Sequence, residues 1–289
     1  MTWLVVGGDG LIGRRVAVDA RSIAGSVVTS SRRPGPHSGQ VFADLATGNV
    51  SAVTAVGAEV VFLCAAMTNM QACLDSPELT YRVNVTETVK LASQLVKQGA
   101  FVVFLSSNTV FNGLVSMPDE DEPAEPVTEY GLQKSITERQ LLSLPGASEQ
   151  IAIVRLSKVL SASLGMAAEF LRRFRAGETC PAFDDLRISP VSLSYVTNGL
   201  LEIASGKLSG LFHLSGADEL SYADFARRLA KHVASDPELV KAVPARSALA
   251  NVLFNPRYPA LGMKRTQIRL GIAPEPLCGV LKDLSGNLP

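Results

Sequence analysis

A glycine-rich segment near the amino terminus constrains the fold of this chain more than any other feature. The segment Gly7-Gly8-Asp9-Gly10-Leu11-Ile12-Gly13 directly follows a short apolar run and opens a stretch of helical periodicity. Glycines at a strand-to-helix turn allow a tight bend, close approach of backbone to a phosphate, and close helix packing. Two registers fit, one starting at Gly8 and one at Gly7, and both continue through Gly10 and Gly13. In this position the segment predicts a nucleotide-binding loop, and a purely structural turn is the alternative.

Short apolar runs alternate with helical stretches through the first half of the chain. The runs cover residues 4–6, 26–29, 60–66, 101–106 and 151–156, and the helical stretches cover residues 11–20, 77–99 and 129–144. Fully apolar strands separated by helices indicate a parallel sheet that is covered on both faces. We therefore predict an α/β, Rossmann-type doubly wound sheet in residues 1–155, with later strands at about 190–215 returning to it. Residues 156–289 should mainly form a smaller substrate-binding lobe.

Composition excludes several classes of protein. The 27 Lys and Arg residues balance the 27 Asp and Glu residues, so no long-range field favours nucleic acid or an anionic membrane. The longest apolar run is far below the roughly 20 residues that a membrane helix needs. No basic, cleavable leader begins the chain, which predicts a cytoplasmic location. The four cysteines show neither CxxC spacing nor histidines at ligand spacing, so we expect free thiols and no metal site.

Cofactor choice is expected to depend on the end of the second strand. An acid there would bind the 2′-hydroxyl of NAD(H). This strand ends instead in Thr29-Ser30-Ser31-Arg32-Arg33, which has two guanidinium groups and hydroxyls but no carboxylate. Such groups suit a 2′-phosphate, so NADP(H) is favoured and NAD(H) is the alternative. The alternative interpretation is that Arg32 and Arg33 are simply an exposed basic pair in a loop.

A candidate catalytic set lies at the same edge of the predicted sheet. Tyr130 and Lys134 are four residues apart in a predicted helix and therefore share one face. The strand at 101–106 leads into Ser107 and Asn108, at the edge where the glycine loop also lies. A hydroxyl, a tyrosine and a lysine beside a dinucleotide are the groups that carbonyl reduction requires.

With these motifs the chain resembles the extended short-chain dehydrogenase/reductase superfamily, and within it the dTDP-4-dehydrorhamnose reductase-like group. The resemblance covers nearly the whole chain. Besides the loop and the Tyr130–Lys134 motif, it includes the segments 65–68, 83–85, 105–113 and 210–216.

The resemblance implies a role for each matching residue. Tyr130 would donate a proton to the substrate carbonyl oxygen, Lys134 would lower the tyrosine pKa and bind the nicotinamide ribose, and Ser107 would orient that oxygen. Thr68 would lie near the sugar, and Asn84 would have a partly structural role. The residues implied to bind the cofactor are Gly7, Gly10, Leu11, Ile12, Gly13, Ser31, Arg32, Arg33, Asp44, Leu45, Ala65, Ala66 and Lys134. Those expected to contact the substrate are Thr68, Ser107, Asn108, Lys158 and Arg187. Arg155 is a further candidate for its diphosphate, and an internal ion pair is the alternative for both arginines.

Two departures from the group concern the sugar. The group usually carries an aromatic residue where this chain has Thr109 and a tryptophan where it has Lys158, so stacking on a deoxyhexose would be weaker. Lys158 would otherwise extend into solvent. Asn108-Thr109 replaces the Asp-Glu pair of the dehydratases, which argues against dehydration.

The resemblance implies NADPH-dependent reduction of a keto group, at C4, on a nucleotide-activated sugar. An NAD-dependent sugar-nucleotide epimerase and a non-catalytic NADP-binding regulatory subunit are the alternatives. An apolar helix face would suit a homodimer as well as a core, and periodicity alone does not distinguish the two.

Overall fold

The structure is a computed structural model that describes residues 1–33, 39–245 and 252–286. Its strands are β1 (Thr2–Val6), β2 (Ser26–Ser31), β3 (Gln40–Phe42), β4 (Val60–Leu63), β5 (Phe101–Ser107), β6 (Ile151–Leu156), β7 (Lys158–Leu160), β8 (Cys180–Phe183), β9 (Arg187–Ile188), β10 (Pro190–Ser192), β11 (Gly210–Leu214), β12 (Leu220–Ser221) and β13 (Val240–Val243). Its α-helices are α1 (Leu11–Asp19), α2 (Ser51–Thr54), α3 (Met70–Asp75), α4 (Pro77–Tyr81), α5 (Thr88–Lys97), α6 (Glu129–Leu142), α7 (Ala147–Gln150), α8 (Met166–Ala176), α9 (Leu193–Ser205), α10 (Tyr222–His232), α11 (Lys264–Leu270) and α12 (Leu277–Gly286). Residues Arg82–Glu87 form a π-helical segment, and Ala20–Ser22, Asn108–Val110 and Pro237–Leu239 form 3₁₀ turns.

The central sheet is parallel and has the strand order β11-β6-β5-β4-β1-β2-β3. The chain moves outward in one direction from β1 through β2 to β3 and then in the other direction through β4, β5 and β6. The order therefore reverses between β1 and β4, and a ligand of such a sheet binds at the carboxyl ends of the strands beside that reversal. The predicted doubly wound fold is confirmed.

The structure differs from the sequence expectation in two elements. The helix predicted over residues 77–99 is interrupted by the π-helical segment Arg82–Glu87, where hydrogen bonds span five residues instead of four. The strand predicted over residues 60–66 ends at Leu63, and the chain then turns so that Ala65 and Ala66 line a cleft. In addition, β3 is only three residues long and half-buried throughout, which is too short to show a period of two.

The first of two compact units contains the described residues of Met1–Phe111, Pro123–Arg155 and Thr197–Phe212. Side chains alternate across the sheet, so Leu4 packs with Val61 and Phe104 in a core on one face. On the other face the rings of Trp3 and Phe62 lie 5.7 Å apart. Burial on both faces explains why the strands are apolar throughout rather than alternating.

The second unit contains Asn112–Glu122, Leu156–Val196 and the described residues from His213 onward. Its core lies among α8, α10 and α12 and includes Phe170, Phe225 and Leu284. Glu120 is buried here, and its carboxylate accepts hydrogen bonds from the backbone N–H groups of Thr266, at 2.8 Å, and Arg265, at 3.1 Å, at the start of α11. The assignment of nucleotide binding to the first unit and of substrate binding to the second remains a prediction. Across the described ranges, no helix is both long and apolar enough to cross a membrane.

Candidate active site

The glycine loop connects β1 to α1 through a turn that side chains would obstruct. Gly7 has a φ of +89°, and a Cβ atom there would lie 2.7 Å from the backbone nitrogen of Ala65. At Gly13 a Cβ would lie 2.3 Å from the carbonyl oxygen of Gly7, and at Gly8 one would lie 2.6 Å from Thr29 Cβ. Both registers therefore contain glycines that the packing requires. Their absent side chains leave a backbone cradle before the first turn of α1, where Leu11, Ile12 and Gly13 lie.

A cleft of about 580 Å³ lies beside this loop. Among the residues lining it are the predicted cofactor residues Gly7, Gly10, Ser31, Arg32, Arg33, Asp44, Leu45, Ala65 and Ala66. The helix amino terminus suits a pyrophosphate, and the exposed guanidinium groups of Arg32 and Arg33 suit a 2′-phosphate. Apolar side chains such as Ala43 and Val83 supply a surface for a base. The residues present therefore fit a phosphorylated dinucleotide.

Asp44 shapes the wall of this cleft. Its Oδ1 accepts a hydrogen bond from the backbone N–H of Ala46 at 3.0 Å. Its backbone also exchanges two hydrogen bonds with Asn49, at 2.9 and 3.0 Å. These bonds hold the turn that places Leu45 against the cleft.

Helix α6 places Tyr130 and Lys134 on one buried face. The helix begins where Thr128 Oγ1 accepts a hydrogen bond from Gly131 N–H at 3.0 Å. Tyr130 is 8% exposed and Lys134 is 3% exposed. Lys134 Nζ lies 5.8 Å from the centroid of the Tyr130 ring and donates a hydrogen bond to the carbonyl oxygen of Leu105 at 2.7 Å. The structure therefore brings the predicted tyrosine and lysine together.

Burial dominates the protonation of this pair. It raises the pKa of Tyr130 above its usual range, and the thiol of Cys73 adds to the effect. Burial also lowers the pKa of Lys134 to about 8, although attraction to Glu138 opposes it. Burial is the largest cause of the raised Tyr130 pKa. That Lys134 lowers this pKa stays a prediction. A tyrosine that stays protonated at neutral pH is suited to donate a proton.

Ser107 ends β5 next to α6. Its Oγ accepts hydrogen bonds from Thr109 N–H at 3.2 Å and from Thr109 Oγ1 at 3.1 Å, and it donates to Asn108 Oδ1 only at the long distance of 3.4 Å. A Cβ atom at Gly131 would lie 2.1 Å from the carbonyl oxygen of Thr109. This close approach packs the start of α6 against the turn that follows Ser107, so the hydroxyl and the Tyr130 helix are positioned together.

Asn84, in the π-helical segment, joins the cleft wall to α6. Its side chain accepts a hydrogen bond from Met67 N–H at 2.8 Å and donates to the Met67 carbonyl oxygen at 2.9 Å. It also donates to Gln133 Oε1 on α6 at 2.8 Å. Because Met67 directly follows the cleft residues Ala65 and Ala66, these bonds tie the cleft wall to α6 and support the predicted, partly structural role of Asn84.

Comparisons with known proteins agree with this geometry. A protein-family model described as the RmlD substrate binding domain matches residues 1–285. The chain belongs to this family. The resemblance drawn from its motifs is therefore confirmed.

One relative found by sequence and two solved structures accompany the family match. A dTDP-4-dehydrorhamnose reductase of Streptomyces griseus is 29% identical over 276 residues, covering 91% of this chain and 86% of that protein. The solved dTDP-4-dehydrorhamnose reductase of Bacillus anthracis, in complex with NADP, has a TM-score of 0.84 at 19% identity and covers 99% of this chain and 97% of that one. A Thermotoga maritima UDP-glucose 4-epimerase with UDP-glucose has a TM-score of 0.80 at 20% identity, covering 100% of both chains. At such identities the solved structures show the shared fold.

The remaining predicted substrate residues of this RmlD-family chain are distributed over both units. In the first unit Thr68 is exposed and Asn108 is half-buried. Lys158 and Arg187 belong to the second unit and are both exposed. Arg187 Nη2 donates to the carbonyl oxygen of Glu219 at 3.3 Å.

Within the described ranges, no group of three or more His, Cys, Asp or Glu residues is arranged to hold a metal ion, and the four cysteines are free.

Sequence reasoning left an internal ion pair open for Arg155 but did not identify its partner, which lies on α6. Arg155, proposed from the sequence as a diphosphate contact, instead directs its guanidinium group at Glu138, with Nη2 2.7 Å from Oε2 and Nε 3.0 Å from Oε1. Ser106 Oγ donates to the same carboxylate at 2.5 Å. Glu138 lies four residues after Lys134, a spacing that places the two on one helix face. That spacing does not indicate the pairing with Arg155, which lies 17 residues further along the chain.

The lowered pKa of Lys134 predicts a pH dependence of activity. As pH rises through about 8, the buried ammonium group loses its proton and with it the positive charge beside Tyr130. We therefore expect kcat for reduction to fall above about pH 8, measured at saturating substrate between pH 6 and 10. A kcat that stays constant to pH 9.5 would contradict the assignment.

Proposed function

We propose that this protein is an NADPH-dependent reductase of a keto group, at C4, on a nucleotide-activated sugar. Membership of the RmlD substrate-binding family supports the proposal, as does the Streptomyces griseus relative, which is named a dTDP-4-dehydrorhamnose reductase. The observation that carries it is the buried pair on α6. Lys134 Nζ lies 5.8 Å from the Tyr130 ring, in the same unit as a cleft that fits a 2′-phosphorylated dinucleotide.

Each group in this unit has a role in the proposed reaction. Bound NADPH would supply the hydride. Tyr130 Oη donates a proton to the carbonyl oxygen of the substrate, which burial of the protonated phenol favours. Ser107 Oγ would turn its proton from the long 3.4 Å bond with Asn108 to the same oxygen, because its lone pairs accept from Thr109. Lys134 keeps a positive charge beside the tyrosine and opposes the negative charge left when the phenol gives up its proton.

The departures at Thr109 and Lys158 bear on which sugar is reduced. Thr109 is buried and bonded to Ser107, so it offers no aromatic face. Lys158 is exposed in the second unit and brings a cation where the group carries a tryptophan. Both changes favour a sugar that is more polar or more acidic than an unmodified 6-deoxyhexose.

The test is oxidation of NADPH, followed by its absorbance, with a panel of nucleoside-diphosphate 4-keto sugars. Substrate-dependent oxidation with one of them is the expected result. Absence of turnover with every keto sugar nucleotide would overturn the proposal. Retention of tightly bound NAD with interconversion of epimers would indicate an epimerase, and cofactor binding together with a stable protein partner would indicate a regulatory subunit.

A cytoplasmic location and a homodimer accompany this proposal as predictions from the sequence. Cell fractionation tests the first, and sedimentation of the purified protein tests the second.

A further inference from the structure

The end of β2 supplies no carboxylate to the cleft. The carboxylate of Asp9 lies beside that strand end instead. Asp9 belongs to the glycine loop, and its Oδ2 accepts a hydrogen bond from Ser31 Oγ at 2.5 Å. Ser31 Oγ in turn accepts a hydrogen bond from the backbone N–H of Arg33 at 3.0 Å. All three residues line the cleft. The negative charge of Asp9 is therefore linked by hydrogen bonds, through the Ser31 hydroxyl group, to the residues that suit a 2′-phosphate.

The two forms of the cofactor would experience this carboxylate differently. The proton of Ser31 is directed at Asp9, so the hydroxyl can donate to a 2′-phosphate only by leaving the carboxylate. A phosphate bound there would also lie within a few ångströms of a like charge, which opposes its binding. A ribose 2′-hydroxyl, in contrast, can donate a hydrogen bond to a carboxylate, as it does to the acid in NAD-binding sites.

Ser31 and Asp9 differ in burial in a way that suits this role. Ser31 is 4% exposed and is held in place as the last residue of β2, whereas Asp9 is exposed at the surface of the loop. The loop is also restrained by Arg14, whose Nη2 donates to the backbone carbonyl oxygen of Asp9 at 3.2 Å. The carboxylate is therefore presented to the cleft from a restrained loop.

We propose that Asp9, held by Ser31, is a specificity-determining residue that opposes Arg32 and Arg33 and keeps the site open to NAD(H) as well as NADP(H). The inference rests on the proposed cofactor site and deepens it. Arg32 and Arg33 attract the 2′-phosphate, Asp9 repels it, and Asp9 also offers an acceptor to the 2′-hydroxyl. The preference for NADP(H) is consequently smaller than the two arginines alone would produce.

The experiment compares nucleotide binding by the wild type and Asp9→Asn, measured by isothermal titration calorimetry with NADP⁺ and NAD⁺. The fragments 2′,5′-ADP and 5′-AMP, which lack the nicotinamide, are measured in parallel. Removing the repulsion should lower the Kd for NADP⁺ about fivefold, and weakening the bond to the 2′-hydroxyl should raise the Kd for NAD⁺ about fivefold. The ratio of the two constants then changes on the order of 20-fold, and the fragments follow the same trend.

A matched control is Glu59→Gln, which removes one exposed carboxylate from the same unit. Glu59 precedes β4 at the amino-terminal edge of the sheet, opposite the cleft, so its replacement should leave the ratio of constants unchanged. A ratio in Asp9→Asn that is unchanged or shifted toward NAD⁺ would overturn the inference. So would equal weakening of both nucleotides, because a carboxylate that merely supports the loop predicts that result.

The binding readout separates this inference from the proposed function. A shifted ratio in a protein that reduces no keto sugar would support the inference while the reductase proposal fails. Reduction with an unshifted ratio would do the reverse. A wild-type protein that binds neither dinucleotide would overturn the cofactor site, and this inference with it.

Discussion

Replacing Tyr130 with phenylalanine is expected to lower kcat for keto-sugar reduction by about 100- to 10,000-fold, the range that a positioned general acid contributes. The reason is local, because the variant removes one hydroxyl and keeps the buried ring. Tyr130 is not among the residues that line the cleft, so the Kd for NADP⁺ should change little. Steady-state kinetics at saturating NADPH, together with calorimetry, separates the two effects.

The control for this variant is Tyr81→Phe. Tyr81 is a tyrosine of the same unit, but it is 37% exposed on α4, so its hydroxyl should have no effect on kcat. A Tyr130→Phe enzyme that keeps more than about a tenth of the wild-type kcat would show that another group donates the proton. Loss of NADP⁺ binding in that variant would indicate a structural role for the phenol instead.

Features that depend on local spacing were predictable from the sequence. The glycine loop, the apolar strands and the four-residue spacing of Tyr130 and Lys134 each express a short-range rule, and each appears in the structure close to its predicted position. The Tyr130 helix was predicted to end at 144 and ends at Leu142, a difference within the usual fraying of helix ends.

Side-chain contacts between distant segments were not predictable in the same way. Asp9 and Ser31 are separated by 22 residues, and their contact depends on how far the glycine loop folds back over β2. The sequence shows that β2 ends without an acid, but it does not show that the loop brings one there. The π-helical segment around Asn84 is similar, because its extra residue is stabilised by bonds to Met67 and Gln133, which lie outside the segment.

Replacing Glu138 with glutamine is expected to lower the free energy of unfolding by about 3–5 kcal/mol, because it leaves a buried guanidinium group without its counter-charge. Glu138 is 3% exposed and Arg155 is 4% exposed. The guanidinium group is enclosed further by the ring of Phe111, whose centroid lies 4.9 Å from Cζ. Urea unfolding monitored by circular dichroism measures the change.

A matched control and a compensating variant test the cause. Glu169→Gln removes a carboxylate that also contacts arginines, Arg172 and Arg173, but its side chain is 46% exposed. Because water and salt screen that pair, its loss should be small. The double variant Glu138→Leu with Arg155→Met replaces the ion pair by apolar groups and should recover most of the lost stability. A double variant less stable than Glu138→Gln would contradict the account.

The same variant links stability to catalysis through Lys134. Attraction to Glu138 raises the pKa of Lys134 against the larger effect of burial, so removing that carboxylate should lower the pKa further below about 8. The fall in kcat with rising pH should then begin at a lower pH in Glu138→Gln than in the wild type. A protein that was merely destabilised would lose activity evenly at every pH at which it stays folded. An unshifted pH profile in folded Glu138→Gln would therefore show that this carboxylate supports the fold alone.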